Sequence, residues 1–187
     1  LAACEDNAAP KPVMSRFASV KSQQNTAVSG FCEQSFPASG ATARKLVRPA
    51  LREVPGLSPQ ARSAGRWTWL NLWATWCAPC MEEMALLGRW KESLAKDGVD
   101  VELELLSVDG EEADLKKALE SHTFPGQVEW LGNPAELTAF VETLGIPKQS
   151  PIPIHALVDP AGMVRCVRVG SVHDRDYGSV KTLLGAR

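Results

Sequence analysis

A junction between a buried strand and a helix constrains this chain more than any other feature of its sequence. Residues 67–73 read Trp-Thr-Trp-Leu-Asn-Leu-Trp, an apolar and aromatic run that is short enough to be a buried strand. After Cys80 the apolar side chains recur at helical spacing. The sequence Cys77-Ala78-Pro79-Cys80 therefore lies where the strand ends and the helix begins.

The start of a helix favours redox chemistry at Cys77. The first backbone N–H groups of a helix lack partners within it, and the aligned peptide dipoles place partial positive charge there. A thiolate at Cys77 is stabilised by both effects, which makes this sulfur reactive. Pro79 falls near the first helical position, where its missing N–H costs nothing. The spacing lets Cys80 attack a mixed disulfide on Cys77, so the pair can open and close.

These residues resemble a known family. The segment Trp76–Cys80 after a strand that contains Asn71, followed by Glu83 three residues later, is similar to the TlpA/ResA-like thiol-disulfide oxidoreductases of the bacterial envelope, within the thioredoxin superfamily. The segment Pro151–Asp159 also resembles the part of that fold that faces the cysteines. The resemblance implies an α/β, thioredoxin-like fold in which helices flank a central mixed sheet, with an N-terminal extension and a central strand-helix insertion.

The same resemblance implies a set of site residues. Pro153 is expected to be a cis residue opposite the cysteines. The expected catalytic residues are Cys77, Cys80, Glu83 and Pro153, and those expected to contact substrate are Trp76, Ala78, Pro79 and Ile152. Because a cis bond before proline costs little, it can turn the Ile152 backbone toward the cysteines, where an extended substrate can pair with it.

Glu83 is predicted to face the protein interior. It shares a stripe at spacings of three and four with Leu86, Leu87, Trp90 and Leu94. An inward carboxylate is costly when ionised, so we expect Glu83 to exchange protons with the cysteines near neutral pH. The alternative is an acid that only complements the helix dipole from the first turn.

Three of the five cysteines lie outside the motif: Cys4, Cys32 and Cys166. Leu1-Ala2-Ala3-Cys4 resembles the end of a bacterial lipoprotein signal, which predicts lipidation of Cys4; the alternative is a free thiol. If Cys4 carries lipid, Cys32 and Cys166 remain for a structural disulfide that joins the N-terminal segment to the C-terminal sheet. The alternative is two unpaired thiols, with Cys166 packed as a small apolar residue.

Two regions are expected along the chain. Residues 1–30 are rich in Ala, Ser, Asn, Gln, Pro and Lys and predict a flexible tether, whereas 31–187 predict a thioredoxin-like domain. Short strands or irregular structure are expected between 31 and 64. The motif helix is expected from about Pro79 to Asp97, ended by Gly98.

The second half of the chain predicts alternating strands and helices. Residues 99–105 alternate apolar side chains with acids, which predicts a strand with one solvated face. Asp109 is expected to cap a helix that ends near Ser121. A strand at 127–131 and a helix from Asn133 to Gly145 are expected to form the insertion. A hairpin over 154–169 and a helix over 174–184 complete the expected fold.

Composition narrows the classes of partner. The net charge is −2, with 44% hydrophobic and 22% charged residues, and the lack of a basic cluster argues against a nucleic-acid partner. No apolar stretch is long enough to span a membrane, so contact with a membrane is expected only through a lipid on Cys4. We expect a monomer that needs neither cofactor nor metal ion.

Three functions are consistent with this sequence. The first is an enzyme of the periplasm or cell envelope that reduces disulfides in client proteins, with electrons from a membrane thiol reductase. Its clients, from the resemblance, would be apocytochrome c or copper-assembly proteins. The second is a disulfide oxidase or isomerase that uses the same residues, since direction depends on reduction potential. The third is a copper- or zinc-binding module built from Cys77, Cys80 and His155.

Overall fold

The computed structural model describes residues 30–54, 56–57 and 65–185. Its strands are β1 (Gln34–Ser35), β2 (Arg44–Lys45), β3 (Trp67–Trp73), β4 (Val101–Ser107), β5 (Gln127–Trp130), β6 (Ile154–Val158) and β7 (Met163–Val169). Its helices are α1 (Ala78–Lys96), α2 (Glu112–Ser121), α3 (Pro134–Thr143) and α4 (Tyr177–Leu184), the last preceded by a 3₁₀ turn at Asp174–Asp176. The predicted tether falls almost entirely outside the described residues.

The described strands form one mixed sheet with β3 at its centre. The order is β1-β7-β6-β3-β4-β5, with β2 also paired to β7. Strands β3, β4 and β5 run parallel, whereas β6 is antiparallel to β3 and β7 is antiparallel to β6. The expected fold class, with an N-terminal extension and an inserted β5–α3 unit, is confirmed.

Alternation along β3 assigns its side chains to two cores. Trp69 and Trp73 pack with α1, α2 and α4 on one face, whereas Leu70 and Leu72 pack with α3 on the other. Asn71 shares the face of the two tryptophans because side chains two residues apart point the same way. A polar side chain of the central strand is therefore buried beneath α1.

The expectation of a solvated acidic face on β4 is wrong for Glu104. This side chain is fully buried, and Arg48 of the N-terminal extension donates two hydrogen bonds to its oxygens at 2.5 and 2.8 Å. The Arg48 guanidinium also lies 3.8 Å from Glu129 of β5. A segment that is distant in sequence covers this face of the sheet. The local alternation of apolar and acidic residues therefore could not predict that Glu104 is buried.

Helix α1 begins and ends close to its predicted bounds. At its far end Gly98 adopts a φ of 81°, a left-handed conformation that suits glycine, and its N–H donates to Ala95. The neighbouring Asp97 accepts a 2.8 Å contact from Lys181 of α4, and this hydrogen bond lowers the pKa of Asp97. Burial raises the pKa of Tyr177, whose hydroxyl donates to Asp97 at 3.3 Å. These contacts join α4 to the end of α1.

Within the described ranges, no helix has the length and apolar character needed to cross a bilayer.

Candidate active site

The motif cysteines lie at the N-terminal end of α1. Cys77 occupies the N-cap position with extended backbone angles, and its side chain makes no capping hydrogen bond. Pro79 stands in the first helical turn, where its fixed φ suits the helix. The Cys77 sulfur therefore lies beside the unpaired N–H groups and the positive end of the helix dipole, which stabilise a thiolate there.

The two cysteines form a disulfide whose sulfurs differ in exposure. The S–S distance is 2.05 Å and the two Cα atoms are 5.3 Å apart. Cys77 retains 5% exposure, whereas Cys80 has none. Trp76, Ala78 and Pro79 beside Cys77 are all exposed, Trp76 by 69%. An incoming sulfur can therefore approach Cys77 more readily than Cys80, which suits Cys77 for attack and Cys80 for resolution.

The loop before β6 lies against the Cys77 side of the disulfide. The Ile152–Pro153 peptide bond is cis, and Pro153 is buried while Ile152 is half-buried. The Ile152 carbonyl oxygen is 3.9 Å from the Cys77 sulfur. The structure thus brings together the cysteines with Trp76, Ala78, Pro79, Ile152 and Pro153, the residues that the sequence assigned to this surface.

Glu83 is buried under α1, three residues beyond Cys80 and so on the same side of the helix. Its Oε1 accepts a 3.0 Å hydrogen bond from Asn71 Nδ2, and its Oε2 accepts one of 3.0 Å from the Val172 backbone N–H. Among the described residues, no lysine or arginine forms an ion pair with this carboxylate. The hydrogen-bond donors to Glu83 are therefore a side-chain amide and a backbone N–H, both of them neutral.

His155 of β6 completes this buried polar cluster. Its Nδ1 is 3.1 Å from Trp69 Nε1 and 3.2 Å from Asn71 Nδ2, and its Nε2 is 3.4 Å from Glu83 Oε1. In the register of the sheet, His155 lies directly opposite Asn71. The cluster therefore joins β3, β6 and α1, the helix that begins at the two cysteines.

Asp109 has a role that the sequence reasoning missed. It does not cap α2, whose N-cap is Glu111. Its buried carboxylate instead accepts hydrogen bonds from the Thr75 backbone N–H at 3.1 Å and from the Thr75 hydroxyl at 2.7 Å. Asp109 thereby fixes the turn immediately before Trp76 and Cys77. A polar residue after a buried parallel strand was the available signal, because neighbouring parallel strands end at the same edge.

Cys32 and Cys166 form a second disulfide. The S–S distance is 1.96 Å, and the bond joins positions 134 residues apart. Cys166 lies in β7 and is fully buried, whereas Cys32 is half-buried. This bond ties the N-terminal extension to strand β7 of the sheet. Cys4 lies outside the described residues, and its lipidation stays a prediction.

The third function expected from the sequence required metal ligands. Within residues 30–54, 56–57 and 65–185, no group of three or more His, Cys, Asp or Glu side chains is arranged to hold a metal ion. The Nδ1 atom of His155 already accepts from Trp69, and its ring lies beneath the sheet surface. The arrangement therefore gives no support to a copper or zinc site with Cys77 and Cys80.

Comparison with known proteins identifies the fold. No family model matches the sequence, and no curated protein matches it either. The thioredoxin-related protein of Neisseria meningitidis serogroup B has a TM-score of 0.57 at 21% identity, over 73% of this chain and 98% of that protein. The thioredoxin domain of a thiol-disulfide oxidoreductase from Bacteroides vulgatus has a TM-score of 0.52 at 22% identity, over 64% of this chain and 80% of that domain. This chain therefore has a thioredoxin-like fold with a Cys-Ala-Pro-Cys disulfide at the start of α1.

Proposed function

We propose that this chain is a thiol-disulfide oxidoreductase of the bacterial cell envelope that reduces disulfide bonds in client proteins. The observation that carries the proposal is the Cys77–Cys80 bond at the start of α1, with Cys77 on the side that solvent reaches. A dithiol pair placed there has one sulfur that the helix end activates and a second that is shielded until the first has reacted.

The reaction begins with the reduced pair. The Cys77 thiolate attacks one client sulfur, the client S–S bond breaks, and the other client sulfur leaves as a thiolate. Cys80 gives its proton to the Glu83 carboxylate and attacks the Cys77 sulfur. The mixed disulfide breaks, the second client sulfur departs, and the Cys77–Cys80 disulfide forms. Both client sulfurs end as thiols once they take up protons.

The surface around Cys77 supports a polypeptide client. Trp76 and Ala78, the sequence neighbours of Cys77, are both exposed, and the Ile152 carbonyl oxygen lies 3.9 Å from the Cys77 sulfur. An extended client segment can donate a backbone N–H to this carbonyl while its own sulfur meets Cys77. On the resemblance alone, we propose apocytochrome c and copper-assembly proteins as the client classes and a membrane thiol reductase as the electron donor.

The second disulfide supports the proposed location. Structural disulfides persist in oxidising compartments such as the bacterial periplasm and are rare in the cytosol. Cys166 is fully buried and Cys32 is half-buried, and the bond between them joins distant parts of the chain, as structural disulfides do. An envelope protein fits this arrangement.

Trapping tests both the chemistry and the clients. The Cys80→Ser variant should retain clients as mixed disulfides on Cys77 when incubated with an envelope extract, and reductant should release them. Cys77→Ser is the matched control and should retain none. Equal capture by the two variants, or none by either, would contradict the assignment of Cys77 as the attacking sulfur.

The equilibrium potential tests the direction. Thiol-disulfide proteins range from about −270 mV for the reductant thioredoxin to about −120 mV for the oxidant DsbA. Equilibration with a dithiol buffer of known potential should place this pair nearer the reducing end. A value near the oxidising end would favour the oxidase instead.

A further inference from the structure

Asp109 is a buried acid near the reactive pair to which the proposed reaction assigns no part. It lies just after β4 and is 1% exposed, and its carboxylate contacts the turn between β3 and α1. That turn runs from Ala74 to Cys77, since the Cys77 N–H donates to the Ala74 carbonyl at 3.1 Å. Thr75 and Trp76 are its two central residues. A contact with Thr75 therefore acts on the residues that immediately precede the reactive sulfur.

The Asp109 carboxylate accepts hydrogen bonds from three groups through its two oxygens. The Thr75 backbone nitrogen lies 3.1 Å from both oxygens, and the Thr75 hydroxyl donates to Oδ1 at 2.7 Å. The Ser107 hydroxyl donates to Oδ2 at 2.8 Å. A partly buried backbone N–H needs an acceptor, and Thr75 lies beyond Trp73, the last residue of β3 that pairs with β4. Asp109 therefore supplies the acceptor that the sheet does not provide.

Asp109 is itself held by three neighbouring strands. Its N–H donates to the Ser107 hydroxyl oxygen at 3.1 Å, and its carbonyl accepts from the Trp130 indole of β5 at 2.7 Å. The Val108 N–H donates to the Trp73 carbonyl at 2.8 Å, which continues the contact of β4 with β3 beyond the end of β4. A carboxylate anchored in this way is a rigid support, and rigid supports keep reactive groups in productive geometry.

Two distances from Cys77 matter for the proposed reaction. Its sulfur lies 3.9 Å from the carbonyl oxygen of Ile152, the group to which an extended client donates in the proposed function. Its sulfur is also bonded to that of Cys80, which lies three residues further on in α1, so this second distance is set within the first turn of the helix. Movement of the turn before Cys77 therefore changes the first distance more than the second.

We propose that Asp109 is a positioning residue for the first step: through Thr75 it holds Cys77 at the distance from Ile152 that lets an extended client pair with the loop while its sulfur is attacked. The inference rests on the proposed function, because it concerns attack on a client. In that step the Cys77 thiolate bonds to one client sulfur, the client S–S bond breaks, and the other client sulfur leaves with the electron pair. Asp109 takes no proton or electron in this step and acts only through the turn.

The test compares two mixed disulfides as substrates of the full reduced chain. One is an extended peptide whose single cysteine carries thionitrobenzoate, and the other is a single blocked cysteine that carries the same group. Attack by Cys77 on either cysteine sulfur releases thionitrobenzoate, which stopped-flow absorbance follows. Asp109→Asn replaces one acceptor oxygen by a donor, so the turn moves, and the rate for the peptide relative to the single cysteine should fall about tenfold. Equal loss with both substrates, or no loss, would overturn the proposal.

Variants of Thr75 separate positioning from structural damage. Thr75→Ser keeps the hydroxyl and should keep the ratio of the two rates, whereas Thr75→Val loses the hydroxyl and should lower that ratio about threefold. Asp114→Asn, at an exposed aspartate of α2, should leave the ratio unchanged. In the Asp109→Asn background, Thr75→Val should lower it no further, because residues that act as one unit are not additive. Equal losses for Ser and Val, or an additive loss in the double variant, would show that Asp109 does not act through Thr75.

The resolving step supplies an internal control. With the aromatic disulfide 5,5′-dithiobis(2-nitrobenzoate), attack by Cys77 releases one thionitrobenzoate, and attack by Cys80 on the resulting mixed disulfide releases the second. The second release should change less than about twofold in Asp109→Asn, because the first turn of α1 sets the distance between the two sulfurs. A second release slowed as much as the reaction with the peptide would overturn the proposal.

One measurement on the unaltered protein keeps the proposal testable if the variants fail to fold. The Thr75 amide should exchange its hydrogen about 100-fold more slowly than an amide of an unfolded peptide, and exchange at the unfolded rate would overturn the proposal. The two proposals fail differently. No capture of clients by Cys80→Ser, together with the lowered ratio in Asp109→Asn, would refute the proposed function alone. Capture of clients with an unchanged ratio would refute only the role of Asp109.

Discussion

The two disulfides of this molecule share one kind of bond and differ in nearly everything around it. Cys77 and Cys80 are separated by 3 positions and lie at the start of a helix, with exposed residues on either side of Cys77. Cys32 and Cys166 are separated by 134 positions, and the bond joins an extension to a sheet strand. A helix end activates the first pair, whereas no helix begins at either cysteine of the second.

The location of a disulfide in the fold, rather than the bond itself, therefore decides whether it is reactive or structural. A short loop constrains the unfolded chain little, so the first bond can open at small cost to the fold. A long loop constrains it strongly, so opening the second bond costs much of the stability that it provides.

The two buried glutamates differ in a similar way. Glu104 has the fixed charge of Arg48 beside it, and Glu83 has only neutral donors and a histidine.

The largest effect is expected from Cys77→Ser. A serine hydroxyl is not ionised at neutral pH and cannot form a mixed disulfide, so thiol exchange should fall to the uncatalysed background. The measurement is turnover of a disulfide-bonded model protein such as insulin with a chemical reductant. Retention of full activity would show that Cys77 and Cys80 are not the reactive pair.

Removing each bond in turn should separate stability from activity. By loop entropy, Cys32→Ser with Cys166→Ser should lower the free energy of unfolding by about 5 kcal/mol, and Cys77→Ser with Cys80→Ser by about 2 kcal/mol. Urea unfolding without reductant measures both values. Thiol exchange should survive in the folded fraction of the first double variant and vanish in the second. Equal losses of stability would break the contrast between the bonds.

Glu83→Gln tests the contrast between the two buried glutamates, Glu83 and Glu104. Glutamine keeps the shape of the side chain but cannot take the Cys80 proton, so the resolving step should slow by about 100-fold at neutral pH, as measured by stopped-flow absorbance. The melting temperature should change by only a few degrees. An unchanged rate of the resolving step would show that Glu83 serves only the start of the helix.

The smallest effect is expected from Asp97→Asn at the other end of α1. The hydrogen bond from Lys181 lowers the pKa of Asp97 in the folded protein, so its stabilisation is present above the unfolded value of about 3.9 and is lost as pH falls through the lower folded value. The variant should melt slightly below the original protein at pH 7 and coincide with it well below pH 3. Thiol exchange should be the same in both. A difference that persists in acid would exclude this ion pair as its cause.

Much of the fold followed from local patterns. The apolar run at 67–73, the helical stripe after Cys80 and the glycine at 98 predicted β3 and α1 to within a residue or two. Glu104 and Asp109 were misassigned for a shared physical reason. Each has its partners on segments distant in sequence, Arg48 for the first and Thr75 for the second, and periodicity reports only the nearest neighbours along the chain.

The sequence by itself determined that a Cys-Ala-Pro-Cys dithiol begins a helix after a buried strand, because spacing, proline placement and apolar periodicity act over a few residues. Only the tertiary structure decided which side chains surround that dithiol. The contacts of His155 with Trp69, Asn71 and Glu83 depend on the pairing of β3 with β6 and on the packing of α1 across the sheet. Packing joins Trp69 to His155, 86 positions apart, so this buried polar cluster forms only when the chain has folded.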